Sequence, residues 1–236
     1  VGPVKARELI EKNKNSSLEE LRVKQNELLT DNQKLGLKYY EDSLDRIPRN
    51  EMVEYHKLFE KEVKKIDPDL KLEIAGSYRR MKQSSGDIDV LLTYSYDILE
   101  SRFKKELESR KQMEERVIKT VVEKLTEKGI IQDTLNLGNH KFNGYCQMSS
   151  KSSDNKVRRL DIIYSPPEEY IFALFYFTGS GSFNQVLRKI AKDKGMTLNE
   201  KSLKLIGTKK KFPNKMNIKI KDNISKIQTE KDIFNI

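Results

Sequence analysis

The sequence predicts an α+β protein in which helices pack on a mixed or antiparallel sheet. Apolar residues recur at helical spacing along segments 52–66 and 97–128, which have the length of long helices. Short apolar runs at 72–75 and 87–93 have the length of strands, and segment 129–164 reads as successive antiparallel strands joined by polar turns. These patterns predict a central sheet domain that carries helices.

Helical segments flank the predicted sheet domain on both sides. Ser17 and Glu20 form a capping-box pattern, which predicts a helix start within residues 1–47. Pro48 marks the end of that region, because the residue before a proline disfavours helical geometry. The pair at 166–167 is Pro-Pro, and it marks the start of a further helical unit.

Composition indicates a globular protein with a polyanionic partner. The 236 residues are 36% apolar and 35% charged, and the net charge is +10, with most of the excess after residue 166. Nucleic acid is the partner that fits best, and a lysine-rich solvated surface is the alternative. No apolar run has the length of a membrane span, so we expect no membrane partner. A single cysteine, Cys146, predicts a reducing, intracellular compartment, and two separate histidines disfavour a zinc site.

The strongest chemical signal is a set of three aspartates on predicted strands. Asp87 and Asp89 are two positions apart, so their side chains are predicted to share one face of a strand. Neighbouring carboxylates repel each other unless a cation lies between them, and Mg²⁺ prefers such oxygen ligands. Asp161 lies on a later predicted strand, where an isolated acid is most often a solvated residue. On a strand near the other two, it would complete a site for two metal ions.

A glycine-serine turn precedes the first two acids. Gly76 and Ser77 are predicted to open a helix whose N-terminus could bind the phosphates of a nucleotide. Arg80 is one helical turn beyond Ser77 and could reach the same phosphates. The bland alternative is an ordinary turn followed by two solvated acids.

These motifs together resemble DNA polymerase family X, and within it the beta and lambda polymerases. The signature runs from Gly76-Ser77 through Asp87 and Asp89 to Asp161, and segment 176–180, Tyr-Phe-Thr-Gly-Ser, narrows it to this family. The resemblance covers essentially the whole chain. It implies a nucleotidyltransferase palm at 48–165 between a helical duplex-binding subdomain at 1–47, with a partial helix-hairpin-helix, and a C-terminal α/β subdomain at 166–236 for the nucleotide and nascent base pair.

The resemblance also implies roles for individual residues. The catalytic set would be Asp87, Asp89 and Asp161, which hold two Mg²⁺ ions (or Mn²⁺), with Arg159 beside them. Nucleotide-binding residues would be Gly76, Ser77, Arg80, Ser85, Gly86, Tyr176, Phe177, Gly179 and Asn184. DNA-binding residues would be Gly2, Lys141 and Arg188. For Tyr176 and Phe177 the alternative is an ordinary aromatic core.

The function implied is template-directed addition of dNTPs to a primer 3′-hydroxyl in short DNA gaps, by a monomeric repair enzyme. Its location would be the nucleus in a eukaryote, or a viral factory or virion if the source is a virus. A short palm loop at 149–155 favours template-dependent synthesis. The family's amino-terminal lyase domain is not in this sequence, so we expect no lyase activity from the chain. A terminal transferase, another nucleotidyltransferase such as an RNA-tailing or antibiotic-modifying enzyme, and a non-catalytic DNA-binding scaffold stay as alternatives.

Overall fold

A computed structural model of the chain describes residues 2–12, 17–103, 107–148, 156–207, 211–212, 217–220, 223–226 and 229–234. The chain divides into two compact units, Val1–Asp45 and Arg46–Ile236. The predicted palm loop at 149–155 lies outside the described residues. In the described ranges, no helix combines the length and the apolar character needed to cross a membrane.

Unit Val1–Asp45 consists of short helices around a small leucine core, as its sequence predicts. Its described helices are α1 Pro3–Glu11, α2 Leu18–Val23, α3 Gln25–Leu28, α4 Asp31–Lys38 and α5 Tyr40–Leu44. Ser17 is the predicted N-cap of α2, since its hydroxyl accepts a hydrogen bond from the Glu20 amide at 3.2 Å. Thr30 and Gln33 form a complete capping box at the start of α4. The core of the unit consists of Leu9, Leu21, Leu29 and Leu37.

Unit Arg46–Ile236 is built around a mixed sheet of five described strands. They are β2 Lys71–Ile74, β4 Ile88–Thr93, β5 Ile131–Leu137, β6 Lys141–Cys146 and β7 Arg158–Tyr164, in the order β2-β4-β7-β6-β5. Strands β4 and β7 are parallel, and the other neighbours are antiparallel. A separate antiparallel pair joins β1 Ile47–Pro48 to β3 Ser84–Ser85. The prediction of an α+β fold with a mixed sheet is confirmed.

Long helices cover one face of this sheet. Helix α6, Arg49–Ile66, carries the predicted apolar stripe, and Met52, Tyr55, Phe59 and Val63 of that stripe are buried. Helix α9, Leu107–Glu127, buries Ile118, Val121 and Leu125 in the same core. The strands contribute every second residue to this core, as the alternation of a strand requires, namely Ile88, Val90 and Leu92 from β4 and Leu160, Ile162 and Tyr164 from β7.

Two predicted helices differ from the structure. The helix predicted over 97–128 is described as α8, Tyr96–Phe103, and α9, with 104–106 outside the described residues. The helix predicted from Gly76 is a single turn, α7, Gly76–Arg79. Met81 adopts a left-handed backbone with φ of 62°, and a left-handed residue of this kind cannot continue an α-helix.

The C-terminal part of this unit packs around its own small core. Its described elements are α10 Tyr170–Thr178, α11 Gly181–Asp193, β8 Met196–Leu198, β9 Leu203–Leu205, β10 Lys211–Phe212, β11 Asn217–Ile220, β12 Asn223–Lys226 and α12 Glu230–Phe234. Helices α10, α11 and α12 meet around the buried residues Phe172, Phe175, Ala191 and Ile233. Ala173 and Leu174 of α10 also pack against Leu91 and Ile163 of the sheet, which joins α10 to the sheet face opposite α6 and α9.

A polar network at the end of α6, centred on Asp67, allows a test of stability away from the three candidate catalytic aspartates. Asp67 accepts hydrogen bonds from both terminal nitrogens of Arg102, at 2.8 and 3.1 Å, and from the Tyr94 hydroxyl at 2.9 Å. The hydrogen bonds from Arg102 lower the pKa of Asp67 to about 2. Because the folded pKa is below the unfolded one, this contribution is present above about pH 4 and is lost as pH falls towards 2.

The Asp67→Asn variant is therefore expected to lose about 1–2 kcal/mol of unfolding free energy at pH 7. The loss should shrink as the pH falls through the range 4 to 2, since wild-type Asp67 then becomes protonated. Urea unfolding across that pH range measures the difference. Asp97→Asn, at an exposed carboxylate on α8, is the matched control and should change little. An equal loss at pH 7 and pH 2.5 would contradict the assignment to ionised Asp67.

Candidate active site

Two of the candidate catalytic carboxylates lie on neighbouring strands. Asp89 on β4 is the register partner of Asp161 on β7, in the one parallel pair of the described sheet. Leu91 on β4 and Ile163 on β7, each two positions after one of these aspartates and so on the same face of its strand, pack against α10. The two carboxylates therefore belong to the face opposite α6 and α9. Asp87 is exposed and directly precedes β4, whereas the sequence predicts it within the strand.

Burial and like charge act together on these carboxylates. Asp89 is partly buried, and burial together with the charges of Asp87 and Asp161 raises its pKa to about 7. Asp87 is exposed as a residue, but its carboxyl group loses part of its hydration, and this loss together with the charge of Asp161 also raises its pKa. Raised pKa values of this origin mean that the ionised forms are disfavoured in the protein alone. A bound cation would remove that penalty.

Asp161 has two basic neighbours. The Nζ atom of Lys141 is 3.6 Å from Oδ2 of Asp161, and the Nε atom of Arg159 is 3.5 Å from Oδ1. Lys141 was predicted as a DNA-binding residue, and the structure places its amine beside this carboxylate. The Oδ1 atom of Asp161 is buried and has no hydrogen-bond partner among the described residues. A buried acceptor without a donor is costly, so this oxygen is available to a ligand.

The residues present fit a magnesium ion, although the described part of the chain holds no preformed group of three or more His, Cys, Asp or Glu ligands. The Oδ1 atom of Asp161, which has the ion pair with Arg159 but no hydrogen-bond partner among the described residues, and the raised pKa of Asp89 are both features that a cation would correct. Carboxylate oxygens are the ligands that Mg²⁺ prefers, and Mg²⁺ commonly takes only one or two of them together with substrate phosphates.

The predicted phosphate-binding turn lies directly against the acids. Gly76 has a φ of 57°, and a Cβ atom at this position would lie 2.4 Å from Oδ2 of Asp89. Only glycine therefore permits this approach of the turn to the carboxylate. The Ser77 hydroxyl donates to the hydroxyl of buried Ser85 at 2.9 Å, which joins the two ends of the loop. Gly86 follows on the exposed side, so the loop leads straight into Asp87.

The turn between α10 and α11 is bound to the same phosphate-binding turn. Arg80 Nη1 donates a hydrogen bond to the Thr178 carbonyl oxygen. A Cβ atom at Gly179, whose φ is 67°, would lie 3.2 Å from that nitrogen. The neighbouring Arg79 donates to the Thr178 hydroxyl at 2.8 Å and forms a two-pronged ion pair with Glu230 of α12. Sequence reasoning missed Arg79, and the only available signal was its place beside Arg80.

Aromatic and polar residues continue the site along this turn. Asn184 donates from its side-chain amide to the Tyr176 carbonyl oxygen at 2.7 Å. The guanidinium of Arg188 lies over the Tyr176 ring, 5.0 Å from its centroid, and is also 3.9 Å from Glu200. Phe177 meets Tyr176 edge to face at 5.1 Å and packs partly on the apolar cluster under α10. The alternative that these aromatic residues belong to an ordinary apolar core therefore holds in part for Phe177.

The predicted residues fall into three places. Asp87, Asp89, Asp161, Arg159 and Lys141 gather at the β4–β7 pair, and the residues of the phosphate-binding turn adjoin it. The end of α10 carries the aromatic residues Tyr176 and Phe177, and its last residue, Thr178, is joined to the predicted phosphate-binding turn through Arg80. Gly2 is the N-cap residue of α1 and belongs to the other compact unit.

Comparisons with known proteins match three successive parts of the chain to domains of DNA polymerases. The family model described as DNA polymerase beta palm matches residues 46–167, the DNA polymerase beta thumb matches 173–236, and the fingers domain of DNA polymerase lambda matches 1–44. DNA polymerase lambda of Rattus norvegicus is 33% identical over 214 residues, which are 88% of this chain and 34% of that protein.

Two further relatives come from a plant and an amphibian. DNA polymerase lambda of Arabidopsis thaliana is 33% identical over 208 residues, 86% of this chain and 36% of that protein. DNA nucleotidylexotransferase of Xenopus laevis is 27% identical over 243 residues, 92% of this chain and 44% of that protein. The chain thus spans about a third of the length of the lambda relatives. Since the palm model alone matches half of the chain, with fingers and thumb models in order on either side, the chain belongs to DNA polymerase family X.

Proposed function

We propose that the chain is the polymerase portion of a template-directed DNA polymerase that adds dNTPs to a primer 3′-hydroxyl in short gaps. The observation that supports this most directly is the pairing of Asp89 with Asp161 beside a glycine-serine turn that is itself joined to the α10–α11 turn. The three aspartates, the phosphate-binding turn and the aromatic residues Tyr176 and Phe177 would then surround one bound nucleotide.

In this proposal the three aspartates would hold Mg²⁺, which when bound neutralises phosphate charge and favours ionisation of the primer hydroxyl. Ser77, Ser85 and Gly86 would bind the triphosphate through hydroxyl and backbone donors. Arg80 would turn part of its planar donor array from the Thr178 carbonyl towards the phosphates. Because α7 is a single turn, side chains and loop amides contribute more here than a long helix dipole.

The remaining residues would position the sugar, the base and the DNA. Tyr176, Phe177 and Gly179 would pack against the incoming sugar. Asn184 and Arg188 would contact the minor groove of the nascent pair, where acceptors on every base pair permit a check of geometry without reading sequence. Lys141 and Gly2 would contact the DNA backbone, and Arg159 would orient Asp161. A nuclear, monomeric enzyme acting in repair belongs to the same proposal.

A terminal transferase is the second candidate, because the chain is 27% identical over 92% of its length to DNA nucleotidylexotransferase. Such an enzyme would extend a primer without instruction from a template. The same acids and phosphate-binding turn would serve it. Only the dependence of addition on the opposite base separates the two functions.

Primer extension on a one-nucleotide-gapped duplex with Mg²⁺ tests the proposal. Each dNTP is supplied singly, against each of the four template bases. We expect addition of the templated nucleotide alone. Addition of any nucleotide, or extension of an unpaired strand, would replace this proposal with the terminal transferase. Tight binding of gapped DNA without addition would favour a non-catalytic scaffold for this portion of the protein.

A further inference from the structure

Arg49 contacts loop 76–86, which contains the predicted phosphate-binding turn. It does so from outside the cluster of the three aspartates. It is the first residue of α6, and its Nη1 atom donates to the carbonyl oxygens of Tyr78 at 2.9 Å and Lys82 at 3.2 Å. Its Nη2 atom lies 3.0 Å from the Met81 sulfur. One side chain therefore bridges both ends of the turn that follows α7.

The turn held by Arg49 is closed by two backbone hydrogen bonds of its own, from Met81 to Tyr78 at 3.0 Å and from Lys82 to Ser77 at 3.1 Å, as in a Schellman cap. Met81 is left-handed although it is not glycine, and its side chain is 70% exposed, so packing does little to compensate for this conformation. The side-chain contacts of Arg49 add support from outside this cap.

Arg49 is itself held in place, so it can act as a fixed brace. Its backbone amide donates to the Gln83 carbonyl oxygen at 2.9 Å. Its guanidinium lies over the Tyr78 ring, 4.6 Å from the centroid, and that ring meets His56 edge to face. A planar guanidinium can stack on a ring and donate to two carbonyls at once, whereas a lysine ammonium cannot satisfy all three contacts.

We propose that Arg49 is a positioning residue that holds loop 76–86 in its nucleotide-binding conformation. The inference rests on the proposed function, in which Ser77, Ser85 and Gly86 of this loop bind the triphosphate. Arg49 acts on the nucleotide through the loop backbone, because its donors are occupied by the carbonyls of Tyr78 and Lys82. Its loss should leave in place the three aspartates that would hold the metal, while the phosphate donors of the loop lose their alignment.

Kinetics of single-nucleotide insertion into gapped DNA test this role. Arg49→Met should raise the KM for the correct dNTP about tenfold or more, with kcat changed much less. Arg49→Lys keeps the positive charge and one donor nitrogen. Its KM for the dNTP should therefore lie between the KM of Arg49→Met and that of the wild type. If a structural role were the whole explanation, both variants would lower the active fraction and hence kcat, with KM unchanged. That result would overturn the proposal.

Arg102→Lys is the matched control. Arg102 also bridges several acceptors and lies over a tyrosine ring, that of Tyr94 at 5.4 Å, but it binds Asp67 and Asp69 at the end of α6. It should destabilise the protein while the KM for dNTP stays at the wild-type value. An equal rise of KM in this control would show that general destabilisation, and not Arg49, sets the affinity.

A second measurement is independent of polymerase activity. Thermal unfolding is followed with and without inorganic triphosphate and Mg²⁺, which should stabilise the wild type and stabilise Arg49→Met much less. Wild-type protein that inserts no nucleotide but shows this Arg49-dependent stabilisation would overturn the proposed function and retain the inference. Normal insertion, with both KM and triphosphate stabilisation unchanged in Arg49→Met, would overturn the inference and retain the proposed function.

Discussion

Asp161→Asn is expected to lower the rate of nucleotide addition by about a thousandfold or more. Asp161 is the acid whose buried Oδ1 atom has no hydrogen-bond partner among the described residues, so it is the oxygen best prepared to take up a cation. Its loss also leaves Lys141 and Arg159 without their negative neighbour. Charge stabilisation of several kcal/mol corresponds to this factor, since about 1.4 kcal/mol is tenfold in rate.

Single-turnover insertion of the templated nucleotide into gapped DNA measures this effect. Asp193→Asn, at an exposed carboxylate in the last turn of α11, is the matched control and should keep the wild-type rate. Binding of the duplex should not weaken in either variant, because Asp161 repels phosphate and does not attract it. Turnover of Asp161→Asn at a rate near the wild type would remove Asp161 from the catalytic set.

Asp89→Asn is expected to stabilise the metal-free protein at pH 8 while it abolishes most of the stabilisation by Mg²⁺. The pKa of Asp89 is raised to about 7, so the folded protein binds a proton here that the unfolded chain has released above about pH 4. Stability contributed by this site is therefore lost as pH rises from about 4 to 7. At pH 8 the neutral asparagine should gain up to about 4 kcal/mol.

Chemical unfolding at pH 5 and pH 8, in EDTA and in Mg²⁺, measures both parts of this prediction. At pH 5 the variant should be more stable than the wild type by only about 1.5 kcal/mol, because the gap between the two proteins grows by about 1.4 kcal/mol per pH unit between about pH 4 and 7. At pH 8 Mg²⁺ should stabilise the wild type and have a much smaller effect on the variant. A variant less stable than the wild type at pH 8, with full stabilisation by Mg²⁺, would contradict this account of Asp89.

The parts of the fold that could be predicted are those set by local sequence. The apolar stripe of α6 and the strand predicted at 87–93 follow from spacing alone; the stripe is confirmed, and the strand is present without its first predicted residue, Asp87. The length of α7 could not be predicted, because the left-handed residue Met81 ends it and Arg49, distant in sequence, supports that conformation. Helical periodicity carries no information about such a contact.

In the candidate site, too, some features could be predicted from local sequence, and others depend on contacts between distant segments. The sequence predicted that Asp161 lies on a strand and would complete a metal site if that strand were near Asp87 and Asp89. The parallel register that sets Asp161 opposite Asp89 depends on the order of strands in the sheet. The contacts of Lys141 with Asp161 and of Arg80 with Thr178 join segments far apart in the chain. No local pattern reports such pairs. The roles of these residues stay predictions until the variants are measured.

The parallel pairing of β4 with β7 has a consequence for the stage of folding at which the candidate metal site forms. The paired aspartates are separated by about 70 positions in the chain, so their meeting closes a long loop, which is a slow, high-contact-order event in folding. During synthesis, a nascent chain that has released Asp87 and Asp89 from the ribosome still lacks the strand that completes the site. We therefore expect the ability to bind metal to arise together with cooperative folding of the sheet, and not gradually as the chain grows.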